Sequence, residues 1–76
     1  MNDILTLLID NYPRIDGSFL YTEYDINPEE EISISINNSN IFGKDDIVGI
    51  HENRIEFPED VIFTKKDSIV VIYNRL

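Results

Sequence analysis

No cysteine occurs in the 76-residue chain, which removes disulfides and thiolate-held metals as sources of stability. Alanine is absent as well, while isoleucine occurs 14 times and asparagine eight times. These are residues of A- and T-rich codons. Such a codon bias normally enriches lysine, yet only Lys44, Lys65 and Lys66 are present. The scarcity of bases therefore has another origin. Fifteen acids against six lysines and arginines leave a net charge of −9. A nucleic-acid reader needs a basic patch, and none is visible, so direct binding to DNA or RNA is not expected. An anionic lipid surface is opposed by the same charge. No run is long enough to span a bilayer: "ILTLLI" is short, and Asp3 stands where a signal peptide carries positive charge. The default location is the cytoplasm.

The charge is uneven. Residues 1–40 hold eight acids and a single base, Arg14, and no lysine or arginine lies between Arg14 and Lys44. Within that span, "DINPEEEISISI" (25–36) runs from an Asn27-Pro28 turn signal through three glutamates into faultless alternation. Ile32, Ile34 and Ile36 take one face of a strand and Glu31, Ser33, Ser35 and Asn37 the other. A slip of one residue would place three isoleucines in water, so the register is strongly specified.

One domain spans residues 1–76. A chain this small buries only about two-thirds of its unfolded surface, so it needs a dense core or a partner subunit. Residues 3–12, "DILTLLIDNY", gather apolar side chains at i, i+1, i+4, i+5 and i+8, which predicts a short amphipathic helix ended by Pro13. Strands are expected at 18–24 and 31–37, paired as a hairpin, and at 46–50 and 54–57 around a turn with Asn53 left-handed. A third hairpin is expected from 60–64 and 69–73. "IVVIY" has no polar residue on either face, which puts it centrally with both faces covered. The Asn-rich stretch 37–46 reads as loop. The expected fold is α+β: a short N-terminal helix packed on a five- to six-stranded, mainly antiparallel sheet or small curled barrel. The expected core comprises Ile4, Leu5, Leu8, Ile9, Phe19, Ile32, Ile34, Ile36, Val48, Ile50, Ile55, Phe57, Ile62, Val70 and Ile72.

Catalysis finds little support. His51 is the only histidine, and nothing in the sequence supplies it with a nucleophile and an orienting partner. Asp25, Asn27 and Glu29 alternate like the start of a calcium loop, but the sixth position is Glu30 instead of glycine and the twelfth is Ile36 instead of glutamate. No metal, cofactor or enzymatic activity is expected.

The acids Asp16, Glu23, Asp25, Glu29, Glu30 and Glu31, with Tyr21 and Tyr24 as aromatic anchors, form the candidate partner-binding surface. Acids alternating along a strand stand about 6.8 Å apart, close to the spacing of phosphates along a nucleic acid. In size, acidity and lack of catalytic groups the chain resembles phage-encoded anti-CRISPR and anti-restriction proteins. That resemblance implies a small binding protein acting in the host cytoplasm, which occupies the basic surface of a nuclease or other nucleic-acid-binding complex. Two alternatives share the composition: an antitoxin or immunity protein that neutralises a basic toxin, and an assembly module that uses a strand edge near Ser33 and Ser35, a second copy of the chain included.

Overall fold

The computed structural model describes residues 7–76. Eight strands form in the order β1 (Leu7–Asp10), β2 (Arg14–Asp16), β3 (Phe19–Tyr21), β4 (Ser33–Ile36), β5 (Asn40–Phe42), β6 (Gly49–His51), β7 (Arg54–Glu56) and β8 (Ile69–Asn74). A 3-10 turn over Lys44–Asp46 is the only helical element among the described residues. The strands make two four-stranded antiparallel sheets, ordered β1-β8-β4-β5 and β2-β3-β7-β6. Side chains from both enter one core: Ile34 and Val71 of the first sheet and Leu20 and Ile55 of the second are completely buried.

This architecture overturns the α+β expectation. The described part of the expected N-terminal helix, residues 7–10, is strand β1, and residues 3–6 lie outside the described residues. Leu7 and Ile9 point out while Leu8 packs against the core. A short apolar run fits either period, and a helix of ten residues has almost no stability of its own. Pairing with β8 satisfies backbone groups along four residue pairs, from Leu7↔Asn74 to Asp10↔Val71, and that cooperative ladder decides the outcome.

The expected hairpin of 18–24 with 31–37 is also corrected. β3 pairs with β2 and β7, whereas β4 pairs with β8 and β5, so the two belong to different sheets. Between them Ile26 is buried and bridged to Arg75, which pins the connection as a crossover. The 37–46 loop contains β5, entered through Asn37 and Asn38, both at positive φ. Asparagine tolerates that conformation better than most residues. Residues 60–64 make no strand: Phe63 turns into the core, its N–H bonded to the Gly17 carbonyl, and Ile62 faces solvent. β8 is central in its sheet as expected, but only Ile69, Val71 and Tyr73 are buried. Val70 and Ile72 are on the other side.

The second sheet closes the 46–57 hairpin as expected, with a two-residue loop between His51 and Arg54. The left-handed residue is Glu52 (φ 59°) instead of Asn53. A side chain with a Cβ is strained there, and asparagine less so than glutamate. Glu52→Asn is expected to stabilise the domain by about 0.5 kcal/mol, or roughly 2–4 °C in Tm, with Glu52→Gln as the charge-matched control that leaves Tm unchanged.

A second loop depends on a single carboxylate. Asp67 accepts the Thr64 N–H at 2.8 Å and the Asn37 side-chain amide at 3.2 Å. Asn37 in turn accepts the Ser68 N–H at 2.8 Å, tying the 64–68 turn to the end of β4. The Thr64 backbone bond, followed by the Asn37 bond, holds the Asp67 carboxyl below its ordinary 3.8. A depressed carboxyl contributes stability that is complete above its unfolded value and disappears as pH falls through the folded one. Urea midpoints measured between about pH 5 and pH 2 should therefore decline less steeply in Asp67→Asn than in the parent.

Candidate protein-docking surface

The segment 22–31 carries five of the six expected acids, and its backbone is unusually well fixed for a connection. Thr22 and Asn53 exchange bonds: Thr22 N–H donates to the Asn53 carbonyl at 2.8 Å and the Asn53 side-chain amide to the Thr22 carbonyl at 2.9 Å. The buried Thr22 hydroxyl donates to the Tyr24 carbonyl at 2.8 Å. Tyr24 N–H reaches the hydroxyl of buried Tyr73 at 3.2 Å. Ile26 N–H then donates to the Glu52 carbonyl, and Asn27 N–H to the Asn74 carbonyl. Each bond of this kind adds about 1 kcal/mol net, and together they suppress alternative paths for the chain.

Glu23 and Asp25 project into solvent from this clamped strip. The Asn27 side chain accepts the Glu29 N–H at 3.0 Å, and its carbonyl accepts the Glu30 N–H at 3.3 Å. These bonds form the turn that displays Glu29 and Glu30, with Glu31 following before β4 begins. The three glutamates therefore stand on a turn instead of a strand ladder, and the regular 6.8 Å spacing expected from strand geometry does not apply to them. Glu52 joins the group through its bond with Ile26. Its only sequence signal was a place in a hairpin turn distant along the chain.

Two members of the expected surface lie elsewhere. Asp16 ends β2 opposite Phe19, and Tyr21 pairs with Arg14 on one side and Arg54 on the other, all in the second sheet. Tyr24 remains on the clamped strip, but the Arg75 guanidinium lies 4.2 Å from its ring centre. Arg14 likewise covers Tyr21 at 4.2 Å and Arg54 covers Phe19 at 5.0 Å. Arginine over an aromatic face is a favourable use of the cation. It also leaves the acids without basic partners. Among the described residues the one ion pair within 4.0 Å is His51 Nε2 to Glu56 Oε1, at 3.2 Å. His51 thus ends β6 beside a carboxylate on the neighbouring strand.

No group of three or more histidine, aspartate or glutamate side chains among the described residues is arranged to hold a metal ion. No helix among them is long and apolar enough to cross a membrane. The fold and this surface define a small antiparallel two-sheet β protein with an acidic strip of clamped backbone. The chain matches no protein-family model, no curated protein and no solved structure.

Proposed function

We propose that the protein is a small acidic inhibitor that docks on the basic surface of a larger nucleic-acid-handling protein and excludes its nucleic acid. The observation that carries this reading is the separation of charges. Glu23, Asp25, Glu29, Glu30 and Glu31 are exposed on a backbone held by hydrogen bonds, while three arginines are engaged with aromatic rings. Carboxylates held in place but unpaired suit lysines and arginines that otherwise bind phosphates. The mimicry concerns charge and hydrogen-bond acceptance, delivered from a turn, and needs no phosphate-like repeat. The action takes place in the cytoplasm that holds the target.

The β-edge alternative needs a different location. Ser33 and Ser35 lie on β4, which is paired on both sides, so neither offers a free edge.

Displacement titrations test the proposal. CRISPR effector complexes, restriction endonucleases and basic toxin nucleases from low-GC bacteria are each loaded with labelled nucleic acid and titrated with the protein. One class is expected to release its nucleic acid, with affinity falling about tenfold or more as salt rises past physiological strength. Release from a toxin nuclease alone assigns the immunity role. Failure to displace from any of them at low salt, or binding of the labelled nucleic acid by the protein itself, overturns the reading.

A further inference from the structure

The outward face of the β1-β8-β4-β5 sheet has the composition of a buried face. In an antiparallel sheet with water on one side, outward residues are usually polar. Here the cross-strand rows read Ile9, Ile72, Ser33 and Val70, Ser35, Ile41. Leu7, Ile9 and Ile41 are 53%, 63% and 72% exposed. The two serines are short, so they form a trough between the ridge of Val70 and Ile72 and the side chain of Ile41. No charged residue occupies these two rows. An apolar face of this kind marks an interaction site.

Four strands at about 4.8 Å and four residues at about 3.4 Å give this face on the order of 270 Å². Two copies stacked through it alone would bury about 540 Å², well under the roughly 1,200 Å² of a stable interface. Widening the contact to that size draws in the neighbouring charges, and two chains of −9 each repel. The acids adjoin one end of the face. Asn27 bonds to Asn74, and the chain returns as β4 with Ser33 opposite Ile72, so the intervening turn carries Glu29, Glu30 and Glu31 there.

From this juxtaposition we infer that the face is the apolar centre of the docking interface. Its occupant is a partner protein whose own apolar patch is bordered on one side by lysines and arginines. The basic border rests on the function proposed above; the apolar centre rests on the sheet.

The test uses a synthetic β-hairpin peptide with valine and isoleucine on one face and lysines at one end. A control peptide keeps the lysines and replaces the apolar residues by serine. Methyl and amide NMR of the labelled protein reads the binding site. The apolar peptide is expected to shift the methyls of Ile9, Ile41, Val70 and Ile72 together with the amides of residues 29–31. The Ile9→Ser/Ile41→Ser variant, altered only at exposed positions and checked for an unchanged thermal transition, is expected to bind it about tenfold more weakly. Equal binding of both peptides with shifts confined to 29–31 overturns the apolar centre and leaves the acidic docking surface standing. Face methyls that shift while 29–31 stay silent overturn the acidic border instead. If no residue shifts with either peptide, both fail. Concentration-dependent shifts of the same methyls in the protein alone, with a dimer mass by sedimentation, make a second copy the occupant and overturn the inference.

Discussion

Phe57→Ala is expected to abolish cooperative folding. Phe57 follows β7 directly, is 1% exposed, and donates its N–H to the Ser18 carbonyl at 2.9 Å. Its ring meets Phe42, just after the first sheet's β4–β5 turn, at 5.5 Å between centres and an interplanar angle of 83°. On its other side it meets Phe63 of the 57–68 connection at 4.8 Å and 80°. One side chain thus joins both sheets and the long connection that leads to β8. Truncating a buried phenylalanine to alanine costs about 3–5 kcal/mol. Losing two edge-to-face contacts removes roughly another 0.5–1.5 kcal/mol each. A domain of this size has about 4–11 kcal/mol in all, so the substitution consumes most or all of it. Near-UV circular dichroism and urea titration should show no native baseline. Phe57→Leu, which keeps most of the volume, should retain a cooperative transition at a lower midpoint. Ile62→Ala should be nearly silent, because Ile62 is 62% exposed. A large loss at Ile62 with a small one at Phe57 would contradict this placement of the core.

The contrast between Phe57 and Ile62 shows what the sequence revealed. Ile32, Ile34 and Ile36 were legible because serine and glutamate alternate with them, and all three are buried. β8 was legible as a central strand from its apolar run, but such a run carries no phase. Val70 and Ile72 are chemically as suitable for the core as Ile69 and Val71. Tyr73 shares the buried phase, where its hydroxyl finds the Tyr24 N–H, a partner 49 residues away. Phe19 was expected inside and Leu20 is the buried residue instead; Arg54 over the Phe19 ring makes an aromatic acceptable at the surface. β1 was missed because its apolar run fits both periods, and β5 because its asparagines read as loop. The acids were legible as composition. Their arrangement was not, since it depends on Asn27, Asn53, Tyr73 and Asn74 meeting across two sheets, and periodicity along a strand says nothing of such meetings.

Glu29→Gln/Glu30→Gln/Glu31→Gln is expected to weaken docking about a hundredfold at low salt, chiefly by slowing association. The fold should be untouched: the three side chains are exposed, and the turn is held by backbone N–H groups of Glu29 and Glu30 on Asn27, which glutamine preserves. Charges at the border of an interface act mainly through long-range attraction and its salt dependence. About 1 kcal/mol for each lost charge-assisted contact gives the stated factor. Total charge is a competing explanation, because any three acids removed from a chain of −9 reduce its attraction to a basic target. Asp45→Asn/Glu59→Gln/Asp60→Asn makes the same three-charge change at exposed positions outside the 22–31 strip. If placement matters, this control loses only a fewfold in association rate, and its salt dependence stays close to that of the parent. If both triple variants lose equally, the surface acts as a diffuse field instead of a docking site, and the clamp of Thr22, Asn53 and Tyr73 then has only a structural purpose. The dissociation rate separates the two parts of the interface. Glutamine at 29–31 should leave it nearly unchanged, whereas serine at Ile9 and Ile41 should raise it, because desolvated apolar contacts are lost only when the complex comes apart.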